Sequence, residues 1–265
     1  MEKIAILGGG QIGEALAGGL VAAGVDASHI VVTNRRESRG EYFAETYGVR
    51  TSCDNAAAVQ GADVIFAAVK PYAVASLLEE IQTQLNQSTV VVSMAAGVEL
   101  ATLQRAAGDN VPVVRAMPNT PMLVGNGMNI VVPGSRVSTK QMDMVTRLLS
   151  TVGRVVELEE SKMDVAAALS GSGPAYFFLV AEALVDAGVS LGLTRDVAEE
   201  LAYVTAAGAG QMLAESDKGA GQLRYGVSSP GGTTYAAIRE LEESGIRGAF
   251  YRAIDKCSEH SARLR

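Results

Sequence analysis

Short apolar runs alternate with helical patterns along the first part of the chain. The runs are rich in Val and Ile, as buried strands are, and they cover residues 3–7, 30–33, 63–69, 89–93 and 111–116. After the first run, Ile12, Leu16 and Leu20 recur at helical spacing, and Gly24 ends the pattern. Strands that alternate with helices favour a parallel sheet. The pattern therefore predicts an α/β fold built on a parallel sheet.

The strand signals stop near Glu160, and the rest of the chain reads as helices. We therefore predict an α/β domain over residues 1–160 and an all-helical domain over residues 161–265. The helix at 175–189 is apolar almost all round, and a second helix running from Thr194 toward Ala214 carries small residues at 206–210. A domain of this size cannot cover such a helix alone. We expect the second domain to form an isologous homodimer, and the dimers to be able to assemble further.

A glycine-rich loop joins the first strand to the first helix. It reads Gly8-Gly-Gly-Gln-Ile-Gly13, which contains the G-x-G-x-x-G spacing of dinucleotide sites in the required strand–loop–helix context. In such a loop Gly8 makes the turn, Gly10 admits the pyrophosphate, and Gly13 allows the helix to pack on the strand. The alternative is a tight turn that binds no ligand.

The end of the second strand indicates which dinucleotide is bound. NAD enzymes place an acidic residue there against the ribose 2′-hydroxyl. This chain has Asn34, Arg35 and Arg36 instead, and a guanidinium can hold a 2′-phosphate with paired hydrogen bonds. We therefore expect NADPH as cofactor, with NADH accepted less readily. The alternative is a basic turn on the surface.

Ligands of doubly wound sheets lie beyond the carboxyl ends of the strands. Val69, Lys70 and Pro71 follow one predicted strand, and Ala95 follows the next. We expect these residues at the edge of the cofactor.

The stretch from Ser228 to Thr234 combines hydroxyl groups with Pro230 and two glycines, just before a helical pattern. The start of a helix offers unpaired N–H groups and a partial positive charge, which suit a small carboxylate. We interpret this stretch as the substrate site. The alternative is an ordinary capped turn.

Composition narrows the possible partners. The chain has 265 residues and a formal net charge of −7, which argues against a nucleic acid or an anionic membrane. We recognise no signal peptide and no apolar run of transmembrane length. With only Cys53 and Cys257, a reducing cytoplasm is the expected compartment. His29 and His260 fit no metal or triad spacing, so no metal site is expected.

Taken together, these segments resemble the pyrroline-5-carboxylate reductase family over nearly the whole chain. The resemblance rests on the order and spacing of Gly8 to Gly13, Asn55, Val69 to Pro71, Ala95 to Gly97, Met117 to Pro121, Gly171 to Tyr176 and Ser228 to Thr234. It implies an N-terminal Rossmann domain, a C-terminal dimerisation domain, and NADPH-dependent reduction of 1-pyrroline-5-carboxylate to L-proline.

The resemblance also assigns roles to residues. It implies that Ser229, Thr233 and Thr234 line the substrate pocket, and that Asn55 and the Lys70–Pro71 turn border the nucleotide. Some relatives carry a Glu that approaches the substrate amine; this chain offers Asp217 nearby, and its role stays open. The predicted cofactor-binding residues are thus Gly8, Gly10, Gln11, Ile12, Gly13, Asn34, Arg35, Asn55, Val69, Lys70, Pro71 and Ala95.

Reduction of a cyclic imine needs a hydride, which the cofactor carries, and a proton on nitrogen. Imines protonate readily, so a hydroxyl donor can suffice, and we assign this role to Thr234. Gly232, Thr233 and Ser229 are expected to hold the carboxylate. Two alternatives remain: a 3-hydroxyacid dehydrogenase-like enzyme, which would place a catalytic Lys in the helix at 175–189, where this chain has none, and a non-enzymatic NADP(H) sensor.

Overall fold

The computed structural model describes residues 2–263 and divides the chain into two compact units. Unit 1 holds the chain up to Ser172 together with the end of the chain from Cys257 onward, and unit 2 holds Gly173–Lys256. The first break lies beyond Glu160, where we drew the domain boundary, because Met163 is buried against Ile130 and Val132 of the sheet.

Unit 1 is built on one eight-stranded sheet with the strand order β3-β2-β1-β4-β5-β6-β7-β8. The strands are β1 (Ile4–Leu7), β2 (Ile30–Thr33), β3 (Arg50–Ser52), β4 (Val64–Ala67), β5 (Val90–Ser93), β6 (Val113–Met117), β7 (Gly127–Pro133) and β8 (Gly153–Glu157). From β3 to β6 all neighbours are parallel, which confirms the predicted Rossmann-type half of the sheet. The five predicted strands are all present.

The sheet is not parallel throughout, since β7 runs antiparallel to β6. Only the short 3-10 turn Thr120–Val124 joins these two strands, whereas a parallel return requires a long crossover. Helix α6 (Thr139–Leu149) supplies such a crossover between β7 and β8, which pair in parallel. The predicted pattern did not include β3, β7 or β8.

Helices cover the two faces of this sheet. The helices of unit 1 are α1 (Gln11–Ala22), α2 (Glu37–Tyr47), α3 (Asn55–Ala58), α4 (Pro71–Ile81), α5 (Leu100–Ala107), α6 (Thr139–Leu149) and α7 (Met163–Ala166). Leu16, Leu20 and Phe43 pack with the β1 side chains Ile4 and Ile6 in one buried cluster. Val74, Leu77 and Leu78 pack in another cluster that contains the opposite-facing Ala5 and Leu7. Side chains alternate along β1, so this strand contributes to the buried clusters on both faces of the sheet.

Unit 2 is entirely helical, as predicted. Its helices are α8 (Gly173–Ser190), α9 (Arg195–Glu215), α10 (Ala220–Gly226), α11 (Thr233–Glu243) and the first part of α12 (Ile246–Arg263). Val185 of α8 packs against Ala198 and Ala202 of α9. Most of the apolar surface of α8 remains exposed: Phe177 is 71% exposed and Leu179 is 65% exposed within the chain.

Candidate functional site

A cavity of about 1350 Å³ opens at the carboxyl ends of β1, β2, β4 and β5 in unit 1. Its volume exceeds that of most small-ligand sites, which is appropriate for a dinucleotide. The wall includes eleven of the predicted cofactor-binding residues: Gly8, Gly10, Gln11, Ile12, Asn34, Arg35, Asn55, Val69, Lys70, Pro71 and Ala95.

The glycine loop lies against the end of β2. The amides of Gly8 and Gly9 donate to the Thr33 carbonyl oxygen at 3.2 and 3.1 Å. Gly8 has a φ of 108°, and a Cβ there would lie 2.7 Å from the Ala68 carbonyl oxygen. In contrast, a Cβ at Gly10 would meet nothing within 4 Å. Gly8 is therefore required by the turn, whereas Gly10 borders open space in the cavity.

Gly13 does not line the cavity. A Cβ at this position would collide with the carbonyl oxygen of Gly8. The absence of a side chain therefore allows α1 to pack closely on the glycine loop. Gly13 thus acts on the cavity indirectly, through the position of the loop, and not as part of its wall.

The start of α1 offers backbone donors to a ligand. Its N-cap is Gly10, with no hydrogen bond from a capping side chain, and the first intrahelical bond runs from the Glu14 amide to the Gly10 carbonyl oxygen at 2.8 Å. The amides of the first turn therefore lack side-chain acceptors. Together with the helix dipole they form a site for a pyrophosphate.

The charges on the cavity wall favour an anion. The wall carries Arg35, Arg36, Arg39 and Lys70, while its one acidic residue is Glu80. Arg35 and Arg36 are exposed and follow directly on β2. No carboxylate therefore stands at this end of the wall to repel a 2′-phosphate.

Asn34 contributes a polar group that has no protein partner. Its backbone amide donates to the Ser52 carbonyl oxygen at 3.0 Å, which fixes the residue at the end of β2. Its side-chain nitrogen is buried and makes no hydrogen bond within residues 2–263. A buried donor costs free energy unless it is paired, so Asn34 would gain by turning this nitrogen toward a ligand in the cavity that the residue lines.

Arg39 lies on the cavity wall, but the sequence pattern did not indicate it. Its guanidinium pairs with Glu14 of α1, which also accepts hydrogen bonds from Tyr42 and Tyr47. Burial opposes ionisation of Glu14, but these hydrogen bonds outweigh it and lower the pKa of the carboxyl group. Burial and the hydrogen bond to Glu14 raise the pKa of Tyr47 to about 12.

Asn55 also has a partner that the sequence did not predict. Its side-chain nitrogen donates to a carboxylate oxygen of Glu80 at 3.2 Å, and both residues line the cavity. Asn55 is the first residue of α3, and Glu80 lies near the end of α4. The bond orients the amide, but no local pattern links residues so far apart in sequence.

In unit 2, the predicted substrate residues lie at the start of α11. The helix begins at Thr233, and its N-cap is Gly232 without any side-chain cap. Thr233 and Thr234 therefore occupy the first two helical positions and do not cap the helix themselves. The first amides of α11 have no side-chain cap, and an uncapped helix start suits a small anion.

The preceding loop is tightly turned. The Gly232 amide donates to the Ser229 carbonyl oxygen at 2.9 Å, and Gly231 has a φ of 71°. A Cβ at Gly232 would lie 2.5 Å from the Ser229 hydroxyl, so Gly232 gives this hydroxyl room. The Ser228 hydroxyl instead donates to the Arg224 carbonyl oxygen at 2.7 Å. Of the two serines, Ser229 is the one left for a ligand.

Ion pairs connect the helices on either side of this loop. Glu242 of α11 accepts from Arg224 of α10 at 3.4 Å and from Arg247 of α12 at 2.7 Å. The two arginines lower the pKa of Glu242, chiefly through the Arg247 hydrogen bond. Asp217 is exposed in the turn before α10.

Two family models match separate parts of the chain. The model described as pyrroline-5-carboxylate reductase dimerisation matches residues 160–264. The model described as NADP oxidoreductase, coenzyme F420-dependent, matches residues 3–97, which contain the glycine loop and the whole cavity wall.

Curated relatives and solved structures match over the full length. A pyrroline-5-carboxylate reductase from Corynebacterium melassecola is 52% identical over 100% of this chain and 99% of its own. The structure of such a reductase from Coxiella burnetii covers 99% of this chain and 98% of its own, with 37% identity and a TM-score of 0.96. The Plasmodium falciparum pyrroline carboxylate reductase, solved with NADP bound, has 30% identity, the same coverage and a TM-score of 0.86.

Proposed function

Because the chain belongs to the pyrroline-5-carboxylate reductase family, we propose that it reduces 1-pyrroline-5-carboxylate to L-proline with NADPH. This is the last step of proline biosynthesis. The observation that carries the proposal is the start of α11, where two Thr residues and uncapped amides lie in one turn. A carboxylate and an imine nitrogen on one small ring match that set of donors.

The chain's residues hold the cofactor in the cavity of unit 1. When bound, NADPH supplies the hydride that reduces the imine carbon. The first amides of α1 and the glycine loop bind the pyrophosphate. Arg35 and Arg36 bind the 2′-phosphate with charged hydrogen bonds. Asn34, Asn55, Ala95 and the turn from Val69 to Pro71 line the same cavity and would surround the rest of the nucleotide.

The start of α11 holds the substrate carboxylate. The Thr233 amide donates to it, and the Ser229 hydroxyl adds a second donor. The Gly232 amide, which we expected to take part, already donates to the Ser229 carbonyl oxygen. The positive end of the helix dipole stabilises the bound charge. These donors orient the ring, and orientation of reacting groups can lower a barrier by several kcal/mol, about 7–11 in the best cases.

Thr234 contacts the imine nitrogen. Thr234 is half-buried as a residue, in contrast to the exposed Ser229 and Thr233, so its hydroxyl is the best placed of the three to donate in a setting with less water. The imine nitrogen takes up a proton from solvent, and as the imine carbon gains the hydride, the C=N π electrons become the lone pair of the amine nitrogen. The Thr234 hydroxyl stabilises the nitrogen at this stage, and no strong acid is required.

The dimerisation domain supplies the partner surface. We propose that the protein is an obligatory homodimer. Phe177 and Leu179 of α8 are the residues whose apolar surface a partner would cover, and a Cβ at Gly208 or Gly210 of α9 would meet nothing within 4 Å in the chain. Close approach of a second backbone is possible at these glycines.

Phe177→Asp is expected to shift the protein from dimer toward monomer at micromolar concentration. Burial of one large apolar side chain is worth about 1.5–3 kcal/mol, and a buried unpaired carboxylate adds a further cost. Sedimentation velocity measures the distribution. Glu182→Lys on the polar stripe of the same helix is the matched control and should leave the dimer intact. A well-folded wild-type monomer at this concentration would contradict the proposal.

The same apolar surface belongs to a helical stretch that is long and apolar enough to span a membrane. By length and composition alone, the helical stretch Glu160–Ser190 could cross a membrane, and only 22% of its most apolar window is buried. Our expectation that the chain has no apolar run of transmembrane length was therefore wrong for this stretch. We propose that a second copy of the chain, rather than lipid, covers it, because the family model for dimerisation includes the whole stretch. The protein is then expected in the cytoplasm. Its formal net charge of −7 argues separately against a nucleic-acid partner.

An NADPH-oxidation assay tests the proposed reaction. The wild type should oxidise NADPH in the presence of 1-pyrroline-5-carboxylate and much more slowly with 1-pyrroline, which lacks the carboxylate. Turnover of a 3-hydroxyacid with NADP and no turnover of either imine would favour the dehydrogenase-like alternative. NADPH binding without turnover of any imine or hydroxyacid would favour the sensor.

A further inference from the structure

Arg39 connects the glycine loop to α2. Its Nε donates to the Gly9 carbonyl oxygen at 3.0 Å, and a terminal nitrogen of its guanidinium pairs with Glu14 of α1. The second carboxylate oxygen of Glu14 accepts from the hydroxyls of Tyr42 and Tyr47 at 2.7 and 3.1 Å. One planar cation thus contacts both the loop and the helix that follows it.

The position of this guanidinium is well defined. It lies 4.6 Å from the ring centre of Tyr42 and 4.9 Å from that of Phe43. Phe43 is fully buried, so it forms a fixed platform. Cation–π contacts of this kind add to the ion pair and restrict the side chain to one arrangement.

The loop needs such a restraint because Gly8, Gly9 and Gly10 are consecutive. Glycine adopts several backbone conformations at similar cost, so the peptide between Gly9 and Gly10 could rotate. In a trans peptide the carbonyl and the N–H point in opposite directions. Fixing the Gly9 carbonyl oxygen on Arg39 therefore also fixes the direction of the Gly10 N–H.

We propose that Arg39 is a positioning residue for the cofactor: it holds the Gly9–Gly10 peptide in the orientation that presents the Gly10 N–H to the pyrophosphate. The inference rests on the proposed role of the glycine loop in NADPH binding. A rotated peptide would instead present a carbonyl oxygen to the phosphate, which repels it. Since NADPH and NADH share the pyrophosphate, Arg39 should affect both equally.

Arg39→Met removes the guanidinium but keeps a long apolar stem that can still pack on Tyr42 and Phe43. We expect the Kd of NADPH and the Kd of NADH, measured by fluorescence titration, to rise by the same factor of about 5–30, as for loss of a partly exposed charged hydrogen bond. The kcat at saturating NADPH and the KM for the imine should stay within about 3-fold of the wild type.

Arg39→Lys tests whether the positive charge alone is enough or whether the two directed hydrogen bonds of the guanidinium are needed. Lysine keeps the charge but cannot make the two directed bonds of a planar fork, so we expect both Kd values to stay raised by about 3–20-fold. Arg147→Met is the matched control, since Arg147 also pairs with a glutamate, Glu2, but lies outside the cavity wall. Its Kd values should equal those of the wild type.

Two results would overturn the inference. Unchanged Kd values in Arg39→Met would leave Arg39 a purely structural role, and a rise for NADPH alone would make it a direct ligand of the 2′-phosphate. If Arg39→Met does not fold, Glu14→Gln replaces it, with an expected equal rise of about 2–5-fold for both cofactors. An equal rise of both Kd values in Glu14→Gln would support the inference. Unchanged Kd values, or a rise for NADPH alone, would overturn it. The titrations need no imine, so a wild type that binds NADPH but reduces no imine would refute the proposed function alone.

Discussion

Thr234→Ala is expected to reduce kcat by roughly 10–1000-fold, a loss of about 1.4–4 kcal/mol in transition-state stabilisation. The hydroxyl contacts a nitrogen whose basicity grows as the hydride arrives, so its hydrogen bond strengthens in the transition state. Interactions of that kind affect kcat more than substrate binding. Steady-state kinetics with the imine varied at saturating NADPH measures the effect.

Two further variants separate chemistry from folding. Thr234→Ser keeps the hydroxyl and should recover much of the rate. Ser228→Ala removes a hydroxyl that bonds the Arg224 carbonyl oxygen, and kcat should stay within about 3-fold of the wild type. The Kd of NADPH should be unchanged in all three. A normal kcat in Thr234→Ala, or a parallel loss of NADPH binding, would refute the assignment of the α11 start to the substrate.

Arg35→Asp is expected to reverse much of the preference for NADPH over NADH. The change removes a guanidinium from the cavity wall and puts a carboxylate in its place, at a cost of about 1–3 kcal/mol for binding the 2′-phosphate. NADH lacks this phosphate, so its binding should change little. The ratio of kcat/KM for the two cofactors measures the preference.

Arg50→Asp provides the matched control for charge. Arg50 is an exposed residue of β3 outside the cavity wall, so the same change in net charge should leave the cofactor ratio nearly unchanged. Equal use of both cofactors by the wild type, or an equal shift in the two variants, would contradict the assignment of Arg35.

Local patterns predicted the part of the fold that forms the cofactor cavity. β1 and β2 are apolar runs buried along their whole length, and the glycine loop follows directly on the first. Two of the missed strands, β3 and β8, lack this signal, whereas β7 contains a short buried run at residues 130–132. β3 has three residues, none of them buried, and β7 begins with glycine and ends with proline. These strands form because neighbours in the sheet pair with them, which a single segment does not reveal.

The contacts of Arg39 and Asn55 could not be predicted because their partners lie on other segments of the chain. Arg39 lies in an amphipathic helix where a charged residue normally faces solvent. Its contacts with Gly9 and Glu14 appear only when α1 and α2 are side by side. The bond between Asn55 and Glu80 likewise depends on two helices that meet in the folded chain. Sequence spacing alone indicates neither pair.

The start of α11 was predicted correctly as a helix boundary, but its cap differs from the usual one. Ser and Thr are preferred N-caps, so Thr233 could have served as an ordinary cap. The N-cap is Gly232, which leaves both threonine hydroxyls outside the capping role. The capped-turn alternative therefore has no hydrogen bond to support it.

Transfer of deuterium from the cofactor tests the central claim most directly. The wild type is incubated with 1-pyrroline-5-carboxylate and NADPH that carries deuterium at the hydride position, and the product is examined by mass spectrometry and NMR. The account predicts L-proline with one deuterium at Cδ, the carbon that formed the C=N bond. Oxidation of NADPH without deuterated proline, or no oxidation of NADPH at all, would contradict it.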